Sequence, residues 1–189
     1  ATQTIQLTGN YQLNGMNEAN PYASKALKTL LGTGESVKGG IKVYIGERGD
    51  KAVSKYKKFI PAQAEGYFVR ISPKEIVLAG YDERGTYYAV QTFRQLMEDG
   101  QLPVTDITDW PDIRFRGVVE GFYGTPWSHE ARLRHLKFYG ENKMNTYIYG
   151  PKDDRYHSSP NWRLPYPEQE AKQLQQLVNV AKENAVDFV

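Results

Sequence analysis

Residues 116–128 read RGVVEGFYGTPWS, and residues 142–154 read NKMNTYIYGPKDD. The first segment closes an apolar run, Phe115 to Glu120, that breaks at Gly121 into a Gly, aromatic and Pro-rich loop, after which Ser128 offers a helix N-cap. The second is a β-branched and aromatic strand, Thr146 to Tyr149, that breaks at Gly150-Pro151 into Lys152-Asp153-Asp154. A helix over His129 to Tyr139 separates them. Two strand-helix repeats with polar and aromatic residues gathered after each strand predict the opening of a (β/α) barrel, whose active sites form at the C-terminal ends of its strands. A second helix, Pro167 to Asn184, is expected to bury Leu174, Leu177, Val178 and Ala181, and a third strand to begin at Val186. A complete barrel takes roughly 250 residues, so the expectation is a barrel truncated within its third strand.

Upstream, alternating strand and helix patterns predict a sheet with helices packed on it, and the fold class is α/β throughout. Ile5 to Leu13 reads as a strand, and Asn20-Pro21 opens a helix through Leu31. Ile41, Val43 and Ile45 alternate as in a half-buried strand, and Lys51 to Phe59 reads as helical up to Pro61. Tyr67 to Ser72 and Glu75 to Ala79 flank Pro73-Lys74 as a β-hairpin. Gly85 to Glu98 places Val90, Phe93 and Met97 on one helical face. Asp109-Trp110-Pro111-Asp112 is the natural boundary, giving domains 1–111 and 112–189 that pack directly. Gly32-Thr33-Gly34 lacks the third Gly and the preceding strand of a dinucleotide fingerprint and is read as a helix end and loop.

A hydrophobic fraction of 40% and a charged fraction of 24% describe an ordinary globular chain. No apolar run approaches the roughly 20 residues of a membrane span, so no span is expected. A formal charge of +2 with mixed signs leaves no polyanion footprint and argues against nucleic acid; Lys55 to Lys58 is a solvated helix face. Without cysteine there is no disulfide and no thiolate metal site. His129 and His135 lack the i, i+4 spacing of helical zinc pairs, and His157 has only carboxylates nearby, so no metal is expected. The polar start, Ala1 to Thr4, reads as processed or engineered.

The two quoted segments, with HSSPNW at 157–162, closely resemble the start of the catalytic barrel of glycoside hydrolase family 84, which holds the O-GlcNAcases, bacterial β-N-acetylglucosaminidases and hyaluronidase-annotated relatives. DERGTYYAVQTFRQL at 82–96 is similar to the helix that closes the N-terminal domain in this family and in related hexosaminidases. The resemblance implies a retaining β-N-acetylglucosaminidase in which the substrate's own 2-acetamido group attacks C1, with no cofactor. It implies a GlcNAc-bearing glycan or glycoprotein as substrate and, by analogy with exported bacterial relatives, a periplasmic or extracellular location.

On the same resemblance the Gly121 carbonyl accepts from a sugar hydroxyl, Tyr123 lines the pocket, and Lys152 contacts the sugar. The residues alone also fit a tight turn with a buried aromatic, and a lysine that neutralises Asp153 or Asp154. The family's catalytic aspartate pair follows the fourth barrel strand and is expected beyond Val189. Asp153 and Asp154 therefore receive no catalytic role; with His157 and Trp162 they are expected to order the loop. The chain by itself is expected to be inactive. The alternative is a non-catalytic carbohydrate-binding or domain-packing module. Unpaired edges of a partial parallel sheet lead to an expectation of self-association or disorder in the C-terminal third.

Overall fold

The computed structural model describes residues 3–32, 36–158, 160 and 162–189. Thr33 and Gly34 of the glycine-rich loop, Ala1 and Thr2 of the polar start, and Ser159 and Asn161 lie outside the described residues. The chain divides into two compact units, Ala1–Asp112 and Ile113–Val189. Among the described residues no helix is long and apolar enough to cross a membrane.

The first unit runs β1 (Thr4–Gln6), β2 (Tyr11–Asn14), α1 (Pro21–Leu31), β3 (Ile41–Glu47), a 3-10 segment (Lys51–Phe59), β4 (Tyr67–Ile71), β5 (Glu75–Gly80), α2 (Glu83–Leu96), β6 (Gln101–Pro103) and β7 (Thr105–Asp109). Its main sheet has the order β2-β3-β5-β4-β7; β2, β3 and β5 are parallel, and β4 is antiparallel to β5 and β7. Asn20 caps α1 by accepting from the amides of Tyr22 (2.9 Å) and Ala23 (3.3 Å), and Gly32, in the left-handed region, ends it. The 3-10 segment places Val53 and Tyr56 against Phe68, Val77 and Ala79, while α2 lies along β4 and β5 and buries Val90 and Phe93. Cover on both faces explains why β5 is buried at every position after Glu75.

Two expectations need correction here, and two strands are added. Ile5 to Leu13 is not one strand: the chain turns at Gly9, with φ of 82°, so β1 pairs with β6 and β2 with β3. The helix expected from Gly85 starts at Glu83 because the Asp82 side chain accepts from the Gly85 amide (2.8 Å), and it stops at Leu96, leaving Met97 outside. Strands β6 and β7 were not anticipated. The sequence of β7, TDITD, is too polar to read as a strand alone, but β4 supplies its partners, with Arg70 forked onto Asp106 (2.8 and 2.6 Å) and the Tyr67 hydroxyl donating to Asp109 (2.8 Å).

The second unit runs β8 (Gly117–Glu120), α3 (His129–Glu141), β9 (Thr146–Tyr149), α4 (Arg155–Ser158), α5 (Glu168–Glu183) and β10 (Asp187–Phe188). The strands form one parallel sheet in the order β10-β9-β8, as two successive β/α units and the strand that follows them require. Ser128 caps α3 through the Ala131 amide (3.2 Å). Leu136 and Tyr139 from α3 meet Leu177 and Ala181 from α5 over Tyr147, forming the core of the unit. Val178, expected in that face, is 41% exposed; Leu174 and Val180 pack at its margin instead. The short α4 was not foreseen.

Gly117 fixes the start of β8. A Cβ there would lie 1.7 Å from the Thr146 carbonyl oxygen on β9, closer than any side chain allows. Replacing Gly117 with Ala is therefore expected to weaken the second unit by at least about 2 kcal/mol, from overpacking against backbone. Amide hydrogen exchange would show lost protection in β8 and β9 with α1 and α2 unchanged; intact protection in β9 would refute this.

Candidate functional site

The loops that follow β8 and β9 leave the sheet at the same end. Glu120 and Tyr149 are register partners, and the Gly150 amide donates to the Glu120 carbonyl (2.8 Å), joining the two loop roots. Gly121, the first residue of the loop after β8, is half-buried and has nothing within 4 Å of where a Cβ would stand, so that side of its backbone faces open space. Phe122 is 58% and Tyr123 96% exposed, and the Phe122 ring stands edge-on to His157 at 5.1 Å. Lys152 and Asp153 are exposed in the second loop. The structure thus gathers Gly121, Tyr123 and Lys152 onto neighbouring loops at the C-terminal ends of two adjacent parallel strands.

The supporting residues separate in role. Asp154 is buried; its Oδ1 accepts from the Tyr156 amide (2.9 Å) and its Oδ2 from the Tyr166 hydroxyl (2.9 Å), so it orders the loop through hydrogen bonds. Burial, and then the bond to Asp154, push the Tyr166 phenol above its usual pKa and keep it a donor. His157 Nδ1 lies 3.0 Å from the Pro151 carbonyl, and with its ring against Phe122 it ties the first turn of this loop to the loop after β8. Trp162 is half exposed, with the Arg163 guanidinium 4.5 Å from its ring centre. A cavity of about 280 Å³ opens beside this loop, lined by Arg132, Tyr149, Asp154, Tyr166, Glu170 and Leu174 among others. Gly121, Tyr123 and Lys152 do not line it. Among the described residues there is no group of three or more His, Asp or Glu placed to hold a metal ion.

Sequence reasoning missed the residue on which both loops hang. Glu120 is 5% exposed, and its carboxylate receives Arg132 Nε (2.8 Å) and Nη2 (2.7 Å), the Tyr147 hydroxyl, and the Trp127 amide (3.2 Å). Burial alone would raise the Glu120 pKa, but the bonds from Arg132, Tyr147 and Trp127 outweigh it and hold the carboxyl below its usual range. Arg132 is held above its ordinary value; desolvation opposes this, and Glu120 overcomes it. Burial, and then the Glu120 charge, raise Tyr147, so its phenol stays protonated and donates. Tyr149 is pushed up to about 12, first by burial. The available signal was a lone Glu closing an apolar strand, with an Arg on the helix that follows.

Two family models divide the chain between them. The one described as glycosyl hydrolase family 20, domain 2, matches residues 1–110, and the one described as beta-N-acetylglucosaminidase matches residues 116–189. The rat protein O-GlcNAcase is 44% identical over 73 residues, covering 39% of this chain and 8% of that protein. The N,N'-diacetylchitobiase of Vibrio harveyi is 30% identical over 109 residues, covering 56% of this chain and 12% of its own length. The solved structure of CpGH84B superposes on all of this chain with a TM-score of 0.88 at 35% identity, using 34% of its own chain. This chain belongs to glycoside hydrolase family 84. It therefore carries the α/β architecture of a glycosidase family, and it spans well under half the length of these relatives.

In this family 84 chain the pairing of Glu120 with Arg132 sets an acid limit. Because the folded-state pKa of Glu120 is depressed, its contribution to stability is complete above the unfolded value of about 4.3 and is lost as pH falls through the lower folded value. Glu120→Gln is expected to weaken the second unit by about 3–5 kcal/mol at neutral pH, because it strands a buried guanidinium. It should also remove part of the acid dependence. Amide protection in β9 followed from pH 7 downward tests both; the same acid midpoint and the same protection in the variant would contradict them.

Proposed function

We propose that this chain supplies the N-terminal α/β domain and the opening β/α units of the catalytic barrel of a retaining β-N-acetylglucosaminidase of the O-GlcNAcase type. Gly121, Tyr123 and Lys152 form part of the subsite for the terminal GlcNAc of a glycan or glycoprotein. The observation that carries this reading is the junction at which the Gly150 amide meets the Glu120 carbonyl, because it sets the open Gly121 backbone and the Lys152 loop side by side at the strand ends. A backbone carbonyl accepts from a sugar hydroxyl, an ammonium offers three donors to others, and an exposed phenol ring presents a face to the pyranose.

In the reaction, the carbonyl oxygen of the substrate's 2-acetamido group attacks C1 as the glycosidic C–O bond breaks. A protein carboxylic acid protonates the departing oxygen, and a second carboxylate polarises the acetamido group. Asp154 is not assigned either role, since its oxygens are spent on Tyr156 and Tyr166, and Asp153 is left with it because the family's catalytic pair is expected after a later strand. The residues of this chain bind and orient the sugar.

The complete gene product is expected to hydrolyse an aryl β-GlcNAc substrate with retention, and the 189-residue chain alone to show no turnover. In the complete protein, Lys152→Ala should lower kcat/KM at least about tenfold through the loss of a charged hydrogen-bond donor. An inactive complete product, or an undiminished Lys152→Ala enzyme, would overturn the proposal.

A further inference from the structure

We propose that Glu120 is a positioning residue for the loop Gly121 to Trp127, acting with Arg132 and Tyr147 to hold the Gly121 carbonyl and Tyr123 in one orientation toward the sugar; this rests on the subsite reading above. Within the loop the ring contact of Phe122 with His157 is one hold, at 5.1 Å. Gly121 touches nothing where a side chain would be, and Phe122 and Tyr123 stand largely in solvent. Its two ends are another matter. Glu120 is the residue immediately before Gly121, and its own carboxylate reaches forward to accept from the amide of Trp127, so one side chain spans the loop from root to exit.

That span is rigid because the carboxylate is fixed from the other directions. Arg132 on α3 takes both oxygens through two nitrogens, and the Tyr147 hydroxyl on β9 donates to Oε2. Four donors from α3, β9 and the loop exit thus converge on one buried carboxylate, the full set two carboxylate oxygens readily accept. At the exit, the Trp127 indole stands edge-on to His135 of α3 at 4.5 Å, a second hold on the same end. The Glu120 carbonyl, meanwhile, accepts from Gly150, so the same residue also sets the root of the loop that carries Lys152. Glu120 touches no sugar in this scheme; it determines where the groups that do touch sugar are held.

Tyr147→Phe is the informative variant, since it keeps the buried ring and removes one donor to Glu120; Glu120→Gln is its companion. In the 189-residue chain, hydrogen exchange of the Trp127 amide, which closes the loop onto Glu120, is expected to speed up at least about tenfold in Tyr147→Phe while α5 and the flanks of β9 stay protected. In the complete gene product the same variant should raise KM for an aryl β-GlcNAc about tenfold with kcat held, because what it disturbs is sugar binding. A residue that only stabilises the fold would instead reduce the amount of active enzyme and leave KM unchanged. Unchanged loop exchange in Tyr147→Phe, or a faster loop with KM unchanged, overturns the proposal. If the complete wild-type protein lacks activity, the subsite reading fails by itself, and the exchange measurement still decides whether Glu120 orders the loop. Should Glu120→Gln fail to fold, Tyr147→Phe carries the test alone.

Discussion

A carboxylate buried at the end of a short strand is the constraint from which the second unit is arranged. Moving an ionised group out of water costs several kcal/mol, and Glu120 can stay charged in the interior only because every oxygen lone pair finds a donor. Those donors come from three places that the chain must therefore bring together: the first turn of α3, the middle of β9 and the exit of the loop after β8. Hydrophobic contact among Leu136, Tyr139, Leu177 and Ala181 drives the helices onto the sheet but leaves their exact seating loose. The directional bonds at Glu120 remove that freedom, and they do so at the end of the sheet where the open loops begin.

The sheet of this unit has two unlike faces. Val118, Glu120, Tyr147 and Tyr149 lie on the side covered by helices, and Gly117, Val119, Thr146 and Ile148 lie on the other. Val119 is 63% and Ile148 40% exposed there. The polar network centred on Glu120 is thus on the helix side of the sheet. The first unit shows the contrast: its central strands are covered on both faces and carry the near-continuous burial of a closed α/β sheet.

Much of this was legible because local signals agreed with one another. Thr146 to Tyr149 is β-branched and aromatic and is bounded by Gly150-Pro151, so its limits could be read to the residue. Asn20-Pro21 and Gly32 punctuate α1 in the same way. What failed was structure imposed by partners. The strand β7 is made by Arg70 and Tyr67 on β4, and no pattern within TDITD reveals that. The turn at Gly9 splits an alternating run without changing its alternation. Candidate sugar residues could be picked out because an open glycine and an exposed lysine follow strand ends. Glu120 was passed over because a glutamate at a strand end reads as solvated until Arg132 and Tyr147 are seen beside it.

The most direct measurement is a double-mutant cycle on Glu120→Gln and Arg132→Leu, read as the opening free energy of β9 amides by hydrogen exchange. If the buried pair organises the unit, each single change strands a polar group and the double change does not, so the coupling should exceed about 2 kcal/mol. Single effects that add to within about 0.5 kcal/mol would contradict the account and leave Glu120 one contact among many.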